Sequence, residues 1–180
     1  RALLVGPARD GREAEDEVER AEIARHVSLA ALKYALLKDF RTTDIVFDWE
    51  RMLDFQGDSG PYLQYTHARL CALLKKAEDL GFEAELSDEV ILGDTDQAII
   101  RRMADFSEII ETGAKDCAPN RVCLYLYELA NELNVWYEGE RILTAEDSAK
   151  RSMKLAIAES AALVLRKGLY LLGIPAPERI

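Results

Sequence analysis

Tyr62, Tyr65, Arg69, Ala72 and Lys76 follow one another at spacings of 3, 4, 3 and 4. At about 100° per residue they share one face of a helix. That face carries two phenol rings, a guanidinium and an ammonium. Such rings stack on unpaired bases, while Arg either stacks or pairs with phosphate, which suits a single-stranded stretch of nucleic acid. The same tyrosines can equally pack under a neighbouring helix with their hydroxyls satisfied, and position alone leaves both readings open.

The other chemically able residues point elsewhere. His67 falls on the opposite stripe with Leu63, Leu70, Leu74 and Ala77, where a hydrogen-bonded core histidine is expected rather than a general base. No Ser or Cys stands in a nucleophile elbow. The Gly57–Gly60 loop lacks the following Lys of a phosphate loop. Asp94 and Asp96 read as a helix start rather than a catalytic dyad, and Asp44 and Asp48 have no obvious metal partner. Cys71, Cys117 and Cys123 do not form a metal knuckle and are expected to be reduced core thiols.

The elements that position these groups are helical. Glu13 to Lys38 is rich in Ala, Leu, Glu, Lys and Arg and free of Pro and Gly, predicting one long helix or two abutting ones. Arg41 to Trp49 carries β-branched and aromatic residues, predicting a short extended segment before a helical turn over Glu50–Phe55. Helices are then expected from Pro61 to Leu80, stopped by Gly81, and from Asp94 to Gly113. Two more are expected, from Pro119 to Tyr137 and from a Thr144-x-x-Asp147 capping box to Leu172, stopped by Gly173. Core stripes are predicted at Val122, Leu126, Leu129, Leu133 and Trp136, and at Leu155, Ala158, Ala162, Leu165, Leu169 and Leu172. Tyr137 falls beside the first stripe and can reach outward. The fold class is all-α, a helical bundle with a short extended segment in its N-terminal part.

The chain has 180 residues, 49% hydrophobic and 31% charged, which excludes disorder and two large domains. No apolar run is long enough to span a bilayer and no signal peptide is legible, so a cytoplasmic protein is expected. The net charge of −10 argues against nonspecific binding of nucleic acid, and neither the first 60 residues nor the remainder is basic. Any basic patch must be local, built from Arg69, Lys76 and a few other helix-borne cations. Asp88, Glu89 and Glu146 are expected on other faces.

Asp44-Ile-Val-Phe-Asp-Trp-Glu50, then Phe55-Gln-Gly-Asp-Ser-Gly-Pro-Tyr-Leu-Gln-Tyr-Thr-His-Ala-Arg-Leu70, closely resembles the stretch joining the catalytic core of arginyl-tRNA synthetases to their anticodon-binding domain. Ala118 to Ala130, Tyr137, and Gly168 to Ile180 resemble later landmarks of that family in the same order. The resemblance implies a class I synthetase that activates arginine with ATP and charges a tRNA, and a helical bundle of the class I anticodon-binding type. The family's His-x-Gly-His and Lys-Met-Ser-Lys-like motifs do not occur here. The expectation is therefore a C-terminal portion, without catalytic residues, metal or cofactor of its own and inactive alone, ATP belonging to the parent enzyme.

On the same resemblance, residues 1–60 are the end of the catalytic core, the stem-contact region and the linker, and 61–180 the anticodon-binding domain. The implied tRNA contacts are Tyr62, Tyr65, Arg69, Lys76, Tyr137 and Ile180, with the Gly57–Gly60 loop beside the anticodon stem and loop. Arg121 is expected to be structural rather than base-reading. Partners are the tRNA for arginine, with arginine and ATP reached only through the absent domain; DNA, membrane and self-association are not expected. The alternative is a helical protein-interaction domain whose tyrosine face docks a partner helix.

Overall fold

The computed structural model describes residues 17–86, 90–140 and 142–180. Asp88, Glu89 and the segment before Glu17 lie outside them. Seven helices occur among the described residues: α1 (Glu17–Leu37), α2 (Trp49–Met52), α3 (Gly60–Asp79), α4 (Asp94–Ala104), α5 (Phe106–Lys115), α6 (Pro119–Gly139) and α7 (Ser148–Leu171). No strand occurs among these residues. The stretch before Asp48 is irregular chain rather than a paired strand, with Val46 and Trp49 largely exposed. Without a partner backbone, β-branched composition alone cannot make a ladder.

α3 is the centre of the bundle, packed on α1, α6 and α7. Its start sets the spacing. A methyl on Gly60 would sit 2.2 Å from the Ala30 carbonyl oxygen, so only glycine lets α1 and α3 approach this closely. Ser59 caps α3 by accepting from the Tyr62 amide at 3.1 Å. Ala30 and Tyr34 of α1 belong to the same buried cluster as Leu63 and Leu70 of α3, so residues on both sides of position 60 share one core.

The two predicted stripes are buried, Val122 to Trp136 on α6 and Leu155 to Leu172 along α7. α3 and α7 both end where a glycine turns left-handed, Gly81 at φ +73° and Gly173 at φ +67°. Helix boundaries differ from expectation at three places, the first being α2, which ends at Met52 and not at Phe55. The helix from Asp94 breaks at Asp105, because the Arg102 carbonyl accepts from the Tyr125 hydroxyl at 2.8 Å and from the Asp105 amide at 3.2 Å. α7 begins after Asp147, whose carboxylate takes the Ala149 and Lys150 amides, and not at Thr144.

Polar groups lock the layers. Asp96 is buried, accepting from Trp136 Nε1 at 2.7 Å and from the Gly93 amide at 3.1 Å, so it joins α4 to α6 while closing the first turn of α4. Arg102 pairs with Glu128 at 2.7 Å and with Glu132. Of the cysteines only Cys123 is a core thiol; Cys71 is half-buried and Cys117 exposed at a turn with φ +49°. Periodicity does not reach Cys117, which lies in the connector between α5 and α6.

Candidate nucleic-acid interface

The sequence face on α3 divides when α6 packs beside it. Tyr65 and Lys76 are exposed, and Arg69 is partly so. Tyr62 corrects the sequence reading: it is buried, its ring edge-on to Tyr127 with centroids 5.9 Å apart. Its hydroxyl donates to Asn131 Oδ1 at 2.7 Å, and burial pushes its pKa up. The outward aromatic next to Arg69 comes from another helix.

That ring is Tyr137. The Arg69 guanidinium lies 3.9 Å from its centroid, as a stacked cation does. Arg69 also donates to Asn134 Oδ1 at 3.0 Å and reaches Glu138 Oε1 at 3.4 Å. Asn134 Nδ2 in turn sits 3.0 Å from the Tyr62 hydroxyl, 2.8 Å from Thr66 Oγ1 and 3.0 Å from the Ala130 carbonyl, its pair of hydrogens shared among three acceptors. A polar seam thus runs between α3 and α6 and fixes the Arg69–Tyr137 stack at its outer edge. Asn131, Asn134 and Glu138 were not singled out in sequence. The signal present was two asparagines one turn apart inside a helix, where Asn has no intrinsic preference to be.

The Gly57–Gly60 loop, which leads into α3, is tied to α1. Asp58 accepts from the Tyr34 hydroxyl at 2.6 Å and from Lys38 at 3.0 Å, and Lys38 also donates to the Asp58 carbonyl. Ser59 Oγ donates to the Asp54 carbonyl. Burial first, then Asp58, drives the Tyr34 phenol pKa up and keeps it neutral.

Behind α3 lies the segment after α7. Gln64 donates to the Pro175 carbonyl at 2.7 Å, His67 Nδ1 bonds the Pro177 carbonyl at 3.0 Å, and Arg179 pairs with Glu19 at 3.4 Å. Burial lowers the His67 pKa, so it is a neutral core histidine, as its stripe predicted. Gln64 and His67 lie on a different side of α3 from Arg69 by helical spacing. The structure therefore assembles Tyr65, Arg69 and Tyr137, with Lys76 about 10 Å further along the helix, while Ile180 is partly buried next to Arg179, which pairs with Glu19 of α1.

The remaining cations are mostly engaged. Arg151 covers the Phe82 ring at 4.1 Å and Lys154 pairs with Glu140. Arg121 pairs with Asp116 at 3.1 Å, and Arg41 donates to the Asp116 and Cys117 carbonyls at 2.9 and 3.0 Å, closing the end of α5. Arg166 and Lys167 are exposed, as is Glu146. Among the described residues no group of metal-ligating side chains converges, and no helix is long and apolar enough to cross a membrane.

Comparisons agree on the kind of domain. Residues 63–180 match the family model of the DALR anticodon binding domain. The chain is similar to arginine–tRNA ligase of Vibrio campbellii, 39% identical over 168 residues that cover 91% of this chain and 28% of that protein. It is similar also to arginine–tRNA ligase of Porphyromonas gingivalis, 35% identical over 176 residues, 96% of this chain and 30% of that protein. It therefore spans under a third of the length of these curated relatives. The solved arginyl-tRNA synthetase of Thermus thermophilus matches with a TM-score of 0.82 at 33% identity, covering 89% of this chain and 28% of that one. The enzyme of Plasmodium falciparum, with a TM-score of 0.76 at 20% identity over 91% of this chain and 29% of that one, shares the fold.

Proposed function

The chain belongs to the DALR anticodon-binding family, and from that premise we propose that it is the tRNA-recognising portion of an arginyl-tRNA synthetase. Residues 61–180 form the anticodon-binding unit and the segment before them the junction toward the catalytic core. Attachment of arginine to tRNA, with ATP, is the work of the rest of the parent protein, in the cytoplasm and as a monomer. The observation that carries the reading is the Arg69–Tyr137 stack, 3.9 Å from cation to centroid, beside the exposed ring of Tyr65.

Tyr65 offers a free face to an unstacked anticodon base, and Arg69 offers donors to base edges or phosphate. Tyr62 acts from beneath, as a positioning residue through Asn134. Lys76 adds a phosphate contact along the same side of α3. In the full-length protein, Tyr65→Ala and Arg69→Ala are expected to raise the dissociation constant for an arginine tRNA transcript. Loss of a stacked base should cost about 1–3 kcal/mol. tRNA-independent binding of arginine and ATP should stay unchanged. Unaltered tRNA affinity in a folded Arg69→Ala variant would remove this face from the interface. Steep weakening with salt separates RNA from a partner helix, whose apolar contact would be far less sensitive.

A further inference from the structure

Arg69 is held on three sides, and the three holders differ. The Tyr137 ring and Asn134 Oδ1 are half-buried members of the α3–α6 seam. Glu138 is not. Its side chain is 71% exposed against 23% for that of Arg69, and the 3.4 Å separation is long for a charge-assisted hydrogen bond. Glu138 has no other hydrogen-bond or ion-pair partner among the described residues. Ring and amide thus fix the plane of the guanidinium. The carboxylate only occupies donors that reach the surface.

Carboxylate and phosphate both fit the guanidinium fork and compete for the same edge. A phosphate arriving at Arg69 meets Glu138 first, as an anion already in place and as a like charge. We infer that Glu138 is an exchangeable counter-ion for Arg69, displaced by a backbone phosphate oxygen of bound RNA. The inference rests on the RNA-binding reading above and adds to it a cost that every RNA using Arg69 must meet. In a chain of net charge −10, an acidic residue on the binding cation lowers affinity for any RNA whose phosphate takes its place. Removing the carboxylate should tighten binding, and for unstructured RNA as much as for tRNA.

The test measures binding of an arginine tRNA transcript and of an unstructured RNA to the full-length protein carrying Glu138→Gln. Glu111→Gln on α5 is the control that changes net charge equally, since Glu111 is exposed. Glu138→Gln is expected to bind about two- to fivefold more tightly than the control. In an Arg69→Ala background the gain should vanish, because the carboxylate then competes for nothing. If Glu138→Gln equals its control or binds more weakly while Arg69→Ala still loses affinity, Glu138 is not an exchangeable ion and the RNA-binding reading survives. If Arg69→Ala itself binds normally, the reading fails and the exchange fails with it.

Discussion

The Asn134 side-chain amide lies 3.0 Å from the Tyr62 hydroxyl, while its carbonyl oxygen accepts from Arg69 at the same distance. One side chain of α6 therefore serves a buried phenol and a surface guanidinium of α3 together. Asn134→Ala should lower stability by about 1–3 kcal/mol, since it strands partly buried polar groups, and should also weaken tRNA binding. Urea unfolding and tRNA titration on one sample check both. An unfolding loss without a binding loss would show that Arg69 holds its place without the seam.

Arg69→Lys tests geometry against charge. An ammonium keeps the charge but cannot lie flat on Tyr137 and bond Asn134 as the planar guanidinium does. The variant is expected to lose nearly as much tRNA affinity as Arg69→Ala. Wild-type affinity in Arg69→Lys would reduce the site to a point charge.

Gly60→Ala drives a methyl into the Ala30 carbonyl. Overpacking of this kind should cost about 1–3 kcal/mol or more, because the obstacle is backbone and cannot swing away. Gly139→Ala, with nothing within 4 Å of the added carbon, is the matched control and should not destabilise. Thermal unfolding of the pair gives the comparison.

Asp96→Ala removes the acceptor of both the Trp136 indole N–H and the Gly93 amide. Leaving the indole N–H unpaired in the core should cost about 1–3 kcal/mol, while the exposed Gly93 amide can turn to water. Indole fluorescence followed through a urea titration reports the loss directly, because Trp136 is buried there.

His67 makes stability sensitive to acid. Its pKa in the fold is depressed by burial, so above the ordinary value near 6.5 both states hold the neutral ring and the contribution is constant. As pH falls below about 6.5 the unfolded chain takes up a proton that the folded chain refuses, and stability drops until the folded ring also titrates. The urea midpoint should fall between pH 7 and 5, and the fall should be smaller in His67→Gln. Equal slopes in the two proteins would assign the acid sensitivity to other groups.

What the sequence made legible was whatever a single helix decides alone. The stripe from Val122 to Trp136 and the stops at Gly81 and Gly173 depend on local period and backbone preference, and they stand where the pattern put them. The break at Asp105 depends on the Tyr125 hydroxyl reaching back 23 residues, which no local pattern contains. The binding face was half legible for the same reason. Tyr65 and Arg69 share a helical face by spacing, but whether Tyr62 joins them is decided by Asn131 and Asn134 on another helix, which draw its hydroxyl inward. Tyr137 was in view as an outward aromatic, yet its place under Arg69 follows from the crossing of α3 and α6. Thr144 fits a capping box, but Asp147 has the carboxylate at the actual first turn.

The carbonyls of Pro175 and Pro177 meet Gln64 and His67 across 111 and 110 positions of sequence. On the ribosome, where about 5–20 residues are added each second, the back of α3 waits roughly 5–20 s after its own synthesis for the segment that covers it. During that interval His67 lacks its Pro177 partner and Gln64 keeps only the His26 carbonyl. Pulse proteolysis of stalled nascent chains should find α3 protected only once residues 175–177 have cleared the exit tunnel.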